Sequence, residues 1–268
     1  MKLSRLLLAL AVVGATACAP EQGVVIKKKG NGFELRIDGE PTFINGVGGT
    51  NRLDVAAAAS ANACRTWGGN IESVKRTSAL AAEHGMRVMQ GISLPKDGEK
   101  YLDAEWKAKT LEQCRELATT FKDDPNIFCW GIGNEVQLSG ANGSAVWSFI
   151  EELAVAIKAI APRQLVSTVI SHDKSALDSI ARYAPSLDII GINSYGPILE
   201  VKDMVASSDW KGPYMITEWG PTGWWETDKT TWEASIEQTS EEKRQVYESR
   251  YNGAVLGDER CLGSFVFL

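Results

Sequence analysis

The chain has 268 residues, of which 44% are hydrophobic and 23% are charged, and its formal net charge is −6. This composition predicts a globular protein with a sizeable core and excludes a disordered chain. The acidic balance, and the lack of a basic run interleaved with aromatic residues, exclude a nucleic-acid-binding protein.

Residues 1–18 have the layout of a secretory signal: Lys2 and Arg5 precede an apolar run that small residues follow. Ala15-Thr16-Ala17 before Cys18 is similar to a bacterial lipobox, which predicts lipidation of Cys18. Plain secretion and an uncleaved anchor segment are the alternatives. We expect an exported protein. It is either an outer-membrane lipoprotein, which contacts the membrane only through its lipid anchor, or a periplasmic protein. Residues 19–32 are predicted to form a tether.

Apolar or β-branched runs then alternate with segments of helical periodicity. The eight candidate strands are residues 42–47, 63–67, 87–92, 127–132, 165–170, 189–192, 214–217 and 263–268. The helical segments are residues 71–84, 105–121, 145–160, 175–183 and 240–256. Unbroken alternation favours a parallel sheet covered by helices, and eight strands favour its closure. Residues 33–268 are therefore predicted to form a single (β/α)8 TIM barrel of the α/β class.

Two features lie at the ends of this barrel. A hairpin-like stretch is predicted over residues 33–45, with a turn at Asp38-Gly39. The eighth strand reaches the C-terminus, so we expect either a barrel truncated after strand eight or one that closes without its last helix. The cysteines after the predicted signal lie in apolar or helical stretches without metal-ligand spacing: Cys64, Cys114, Cys129 and Cys261. This favours buried thiols over a zinc site and leaves disulfides as the alternative.

Two strands deliver glutamates at their C-terminal ends, where TIM barrels hold their active sites. Strand four runs from residue 127 into Asn134-Glu135, and strand seven ends in Thr217-Glu218-Trp219. Two carboxyl groups about 5 Å apart can cleave a glycosidic bond with retention, one as acid/base and the other as nucleophile. Asn134 could hydrogen-bond the sugar 2-hydroxyl, an interaction that strengthens in the transition state.

At these residues the sequence resembles glycoside hydrolase clan A, the TIM-barrel retaining β-glycosidases, and most of all the catalytic barrel of family two. The resemblance covers residues 42–268. It implies that Glu135 is the acid/base and Glu218 the nucleophile. It also implies that Arg65, on strand two, keeps the nucleophile ionised, and that Tyr195, after strand six, contacts the nucleophile through its hydroxyl. The clan's strand-eight tryptophan would fall beyond Leu268.

Other residues near the predicted mouth are candidates for substrate binding. Trp67 follows Arg65 on strand two. Trp219, Trp224 and Trp225 follow the nucleophile and could stack on sugar faces; at least one of them is expected to line the cleft, with ordinary loop packing as the alternative for the other two. His172, at the end of strand five, is predicted to hydrogen-bond the substrate or a residue that contacts it; a role in capping the next helix is the alternative. The sequence predicts no metal and no cofactor.

We therefore predict a retaining glycoside hydrolase that acts on β-glycosidic bonds of a polysaccharide or oligosaccharide. The same covalent intermediate would also serve a glucanosyltransferase-type transglycosylase. The alternative from another class is a non-catalytic surface lipoprotein that binds glycans. Two opposed glutamates count against that alternative, because binding alone does not require them.

Overall fold

The computed structural model describes residues 23–139 and 143–267. The predicted signal and the lipidation site Cys18 lie outside these residues. No helix in the described ranges is long and apolar enough to cross a membrane.

A small antiparallel sheet precedes the barrel. It consists of β1 (Val24–Lys29), β2 (Gly32–Ile37) and β3 (Glu40–Pro41). The prediction of a tether over residues 19–32 is wrong from residue 24 onward. Val24 and Ile26 pack beside Leu35, and only the lysine-rich end of β1, which suggested a tether, stays exposed.

Eight parallel strands form a closed barrel, as predicted. They are β4 (Ile44–Gly48), β5 (Ala63–Arg65), β6 (Arg87–Ile92), β7 (Ile127–Asn134), β8 (Leu165–Ile170), β9 (Ile189–Asn193), β10 (Tyr214–Trp219) and β11 (Cys261–Val266). Closure occurs where Gly263 of β11 pairs with Ile44 of β4. Gly263 has a φ of 138°, and a Cβ there would lie 2.2 Å from the Ile44 carbonyl oxygen, so only glycine fits.

Helices cover the outside of the barrel. They are α1 (Leu53–Ala58), α2 (Ile71–Glu83), α3 (Ala104–Phe121), α4 (Ser144–Ile160), α5 (Lys174–Tyr183), α6 (Val201–Ser207) and α7 (Ser240–Arg250), and one π-helical turn (Tyr251–Val255) extends α7. The five predicted helices are confirmed, whereas α1 and α6 were not predicted because each is too short to show helical periodicity. Asp103 and Asp173 cap α3 and α5 through their side chains, so the capping role at the start of α5 belongs to Asp173 and not to His172.

The small sheet closes one end of the barrel. Leu35 and Ile37 belong to the same buried cluster as Met89, Phe128 and Phe265, which come from the barrel strands. The backbone of β1 and β2 also bonds to the loops that precede β8 and β11. The N-terminal end of the barrel is therefore covered, which leaves the C-terminal end as the open mouth.

The cysteines of the barrel are buried thiols. Cys64, Cys114, Cys129 and Cys261 are buried and free, as the sequence predicts. Burial raises the pKa of Cys64 to about 11, because an apolar surrounding penalises the thiolate. These thiols therefore fill core volume and are not poised for nucleophilic chemistry.

Candidate active site

Breaks in strand register present the two predicted carboxylates at the mouth. The pairing of β7 with β8 shifts between Ile132 and Asn134, and the pairing of β10 with β9 shifts between Ile216 and Glu218. Bulges of this kind redirect side chains at the rims of barrels. Glu135 itself has a φ of 50°, a strained backbone for a non-glycine residue that often marks a functional site.

Arg65 is the buried cation of the site. Its Nη1 lies 2.9 Å from Oε1 of Glu218 and donates to the Thr217 carbonyl oxygen at 2.9 Å, while its Nη2 donates to Oδ1 of Asn134 at 2.6 Å. Burial lowers the pKa of the guanidinium from its ordinary value, and Glu218 offsets part of this effect. Because arginine keeps its proton in proteins, Arg65 supplies a permanent positive charge beside Glu218.

Two aromatic donors complete the surroundings of Glu218. The indole Nε1 of Trp67 donates to Oε1 at 2.8 Å, so this oxygen accepts from both Trp67 and Arg65. The Tyr195 hydroxyl donates to Oε2 at 3.4 Å. Burial, and then the charge of Glu218, raise the pKa of Tyr195, so the phenol stays protonated and acts as a donor. Oε1 is therefore held tightly and Oε2 only weakly.

Glu135 lies in a different environment. Asn193 donates from Nδ2 to Oε1 of Glu135 at 3.0 Å and to Oδ1 of Asn134 at 3.2 Å. The ammonium of Lys96 lies 3.6 Å from Oε2 on the solvent side. Glu135 is thus more exposed than Glu218 and has no buried arginine, although one hydrogen-bond network joins the two carboxylates.

The structure brings together six of the residues predicted from the sequence. They are Arg65, Trp67, Asn134, Glu135, Tyr195 and Glu218. Trp225 lies beside this group, since its ring meets Tyr195 edge-on with 5.1 Å between centroids. His172 contacts Ser194, a neighbour of Tyr195 in the chain, with a distance of 3.0 Å between its Nδ1 and Oγ of Ser194. Burial lowers the pKa of His172, which favours the neutral imidazole.

Trp219 does not join this group. Its ring packs against Tyr247 and Tyr251 of the last helix, with centroid distances of 5.7 and 6.2 Å. Successive side chains of a strand point to opposite faces, so a residue adjacent to the inward-facing Glu218 faces the helices. The prediction that Trp219 binds substrate is therefore wrong.

Three residues of the site were not predicted. Asn193 ends the apolar run of β9 just as Asn134 ends that of β7, and this signal could have identified it. Thr217 donates from Oγ1 to Oδ1 of Asn193 at 2.8 Å. Lys96 lies four residues beyond β6, and no local pattern marks it.

The charges of the site balance. Glu135 and Glu218 are matched formally by Arg65 and Lys96. Within the described residues, no group of three or more histidine, cysteine, aspartate or glutamate side chains is arranged to hold a metal ion. The residues that are present can supply a carboxylate nucleophile, a second carboxyl group for proton transfer, and several neutral donors.

No family model and no curated protein matches the chain. Solved structures match it in fold: a GH2 β-galacturonidase from Eisenbergiella tayi bound to galacturonate has a TM-score of 0.66 at 20% identity. A β-glucuronidase from Ruminococcus gnavus in complex with C6-substituted uronic isofagomine has a TM-score of 0.67 at 16% identity. A β-D-glucuronidase from Dictyoglomus thermophilum has a TM-score of 0.66 at 15% identity.

Each of these alignments covers 91% of this chain and 46% of the other, so the chain spans less than half the length of these neighbours. At such identities the likeness establishes the fold. The chain shares the TIM-barrel fold of these enzymes, as the alternation of strands and helices predicted.

Proposed function

We propose that this protein is a retaining glycoside hydrolase that cleaves β-glycosidic bonds, with Glu218 as nucleophile and Glu135 as acid/base. One observation carries the proposal: Glu218 is held beside the buried Arg65, whereas Glu135, in the same network, has no arginine and faces solvent. The first environment places a permanent positive charge beside a carboxylate, as the nucleophile of a retaining mechanism requires. The second suits a group that exchanges a proton with a leaving group and with water.

The hydrogen bonds indicate which oxygen of Glu218 attacks. Oε1 accepts from Arg65 and Trp67, while Oε2 receives only the long hydrogen bond from Tyr195. We therefore assign the attack on the anomeric carbon to Oε2. As the new C–O bond forms, the glycosidic bond breaks, its electron pair goes to the leaving oxygen, and Glu135 donates a proton to that oxygen.

The second step regenerates the enzyme. Glu135, now a carboxylate, takes a proton from a water molecule, whose oxygen attacks the anomeric carbon and displaces Glu218. Asn134 assists both steps in this proposal. Because its Oδ1 accepts from Arg65 and Asn193, its amide protons face away from them and can donate to the sugar 2-hydroxyl.

The activities of the structural neighbours support the proposal that the substrate bond is a β-glycosidic bond. The neighbours are β-galacturonidase and β-glucuronidase enzymes. We extend to this chain only their action on a β-glycosidic bond, and we propose a carbohydrate substrate that binds without a cofactor.

Nucleophile rescue tests the assignment of the two glutamates. Aryl β-glycosides of glucose, galactose, mannose, xylose and the two uronic acids serve as a substrate panel. Glu218→Gly should abolish turnover, and azide should restore it as a glycosyl azide of inverted configuration. Glu135→Gly should keep activity only on substrates with activated leaving groups, and azide should then yield an azide of retained configuration. Glu83→Gln is the matched control, since Glu83 is exposed at the C-terminal end of α2, away from the mouth of the barrel.

Covalent labelling gives the decisive result. A 2-deoxy-2-fluoro β-glycoside of the preferred sugar should add its mass to a peptide that contains Glu218. Unchanged activity in Glu218→Gly, or no adduct with any sugar of the panel, would overturn the proposal. Glycan binding without an adduct would instead identify the non-catalytic alternative, and product analysis would separate hydrolysis from transglycosylation.

We also propose export with lipidation at Cys18, on the evidence of the basic, apolar and small-residue segments of residues 1–17. Cells that express the protein should incorporate labelled palmitate into it. Cys18→Ser should abolish incorporation and move the protein from the detergent phase to the aqueous phase. Equal labelling of both forms would contradict the assignment.

A further inference from the structure

The loop of residues 220–239, between β10 and α7, exposes three tryptophans. Trp224, Trp225 and Trp232 are 64%, 54% and 76% exposed. Exposed clusters of large apolar side chains mark binding surfaces. We propose that Trp224 and Trp225 form a stacking platform that extends the active site and binds further sugar residues of a neutral polysaccharide. This inference rests on the proposed function and specifies its substrate class.

The platform is continuous with the catalytic centre. Trp225 contacts the ring of Tyr195, whose hydroxyl donates to Glu218. Trp224 in turn meets Trp225 edge-on, with 5.9 Å between ring centroids. The aromatic rings therefore lead outward from the nucleophile. A sugar ring stacks its apolar C–H face on an indole, so rings in this position suit the units of a glycan that project beyond the cleaved bond.

The loop is anchored, so the two rings are preorganised. The carboxylate of Glu226 accepts from the backbone amides of Gly196 at 3.0 Å and Gly223 at 3.3 Å. Gly223 also packs against the Trp225 ring, since a Cβ at Gly223 would lie 2.4 Å from Cζ2 of that ring. Arg250 donates to Oγ1 of Thr222 at 3.2 Å and thereby ties the loop to α7. A preorganised surface loses less conformational entropy when a ligand binds.

Residues 228–236 form a short hairpin, in which the backbone N–H of Ile236 donates to the Asp228 carbonyl oxygen at 2.8 Å, and this hairpin is tied to Trp224. Ser235 donates from Oγ to the carbonyl oxygen of Trp224 at 3.0 Å. Trp232 lies in the turn of this hairpin, next to Glu233, whose φ of 66° is left-handed. The loop thus holds its three indoles within one hydrogen-bonded unit rather than on a free segment.

The charge of the loop favours a neutral ligand. Residues 220–239 contain four acidic side chains and one lysine, a net charge of −3, and two cations of α7 contact the loop, Lys243 at Glu237 and Arg250 at Thr222, so the surface as a whole keeps a net charge of −1. The acidic residues are Glu226, Asp228, Glu233 and Glu237. An anionic polymer or an anionic membrane surface would be repelled, whereas uncharged hydroxyl-rich chains would not. The observations therefore favour a neutral glycan over a polyuronate or a lipid surface.

Affinity electrophoresis tests the platform in the inactive Glu218→Gln background, so that no probe is degraded. The gels contain mixed-linkage β-glucan, galactomannan, galactan, xylan or polygalacturonate. At least one neutral polymer should retard the protein, and Trp224→Ala/Trp225→Ala should weaken the derived affinity about tenfold. Leu256→Ala is the matched control, because Leu256 is 55% exposed but lies before β11 at the opposite end of the barrel. Circular dichroism should show that all variants stay folded.

Three outcomes would overturn the inference. They are equal retardation with and without the two tryptophans, retardation by polygalacturonate alone, and binding only to phosphatidylglycerol vesicles in a flotation assay. Because binding is measured without turnover, a positive fluoro-glycoside adduct on Glu218 combined with any of these outcomes would leave the proposed hydrolase intact and remove only the platform.

Discussion

The side-chain amide of Asn193 donates a hydrogen bond to Oε1 of Glu135 at 3.0 Å. The carbonyl oxygen of the same side chain accepts from Thr217 at 2.8 Å and from Arg65 at 3.4 Å. Asn193 thus connects the surroundings of the proposed acid/base to those of the proposed nucleophile. Because all of these partners fix the orientation of the amide, Glu135 receives a donor at a set position.

Removal of this connection should impair catalysis more than folding. We expect Asn193→Ala to lower kcat/KM on an aryl β-glycoside about 10- to 100-fold, since the lost hydrogen bonds to Glu135 and Asn134 are worth about 1.5–3 kcal/mol. Steady-state kinetics give the measurement. Asn126→Ala, at the covered end of the barrel before β7, is the control and should stay within about twofold of wild type. Equal losses in both variants would show a general effect on folding.

The indole N–H of Trp67 should matter separately from its ring. Trp67→Phe removes the donor to Oε1 of Glu218 but retains an aromatic ring beside Phe267. A hydrogen bond to a charged group contributes about 1.5–3 kcal/mol, so the glycosylation step should slow at least about tenfold. Burst kinetics with a dinitrophenyl glycoside isolate that step. Trp210→Phe removes an indole donor from Pro213, outside the network, and should preserve the burst rate.

Arg65 and Glu218 should be coupled in stability. Arg65→Met leaves the carboxylate of Glu218, which is 9% exposed, without its cation, and such a loss costs about 3–5 kcal/mol. Glu218→Gln in the same background removes the uncompensated charge and should recover part of that loss. Urea unfolding of the wild type, both single variants and the double variant gives the coupling energy. Strictly additive effects would show that the two side chains do not stabilise one another.

His172 should make stability depend on pH. Burial lowers its pKa below the ordinary value of 6.5, so the folded state holds a proton less readily than the unfolded chain. The contribution of neutral His172 to the free energy of unfolding is fully present above about pH 6.5 and is lost as the pH falls through the folded-state pKa. Glu200 and Asp173 oppose the shift and limit its size.

Urea unfolding at a series of pH values between 7.5 and 5 measures this dependence. His172→Gln should remove the decrease in the free energy of unfolding that begins near pH 6.5 in the wild type. His84→Gln, which removes the only other histidine, should keep it. A fall of the same size in His172→Gln and wild type would assign the dependence to other groups.

Much of the fold was predictable because its signals are local. Each barrel strand is a short apolar run, and Asp103 and Asp173 stand where helices begin. The failures have physical causes as well. The three lysines of β1 give it the polar composition of a tether, so the sequence does not indicate its pairing with β2. Trp219 is adjacent to Glu218, but adjacent strand residues face opposite sides of the sheet, so Trp219 lies outside the site.

The sequence by itself determined the alternation of strands and helices and placed Glu135 and Glu218 at strand tips, because both depend on residues adjacent in the chain. The family resemblance indicated Arg65 as a partner of Glu218, but only the tertiary structure decided that Trp67 also holds Glu218 and that Asn193 meets Glu135. Arg65 and Glu218 are 153 residues apart, so their contact exists only once the barrel closes. Strand register and the bulges after Ile132 and Ile216 then set which side chains meet, and pairing between strands, not local sequence, determines both.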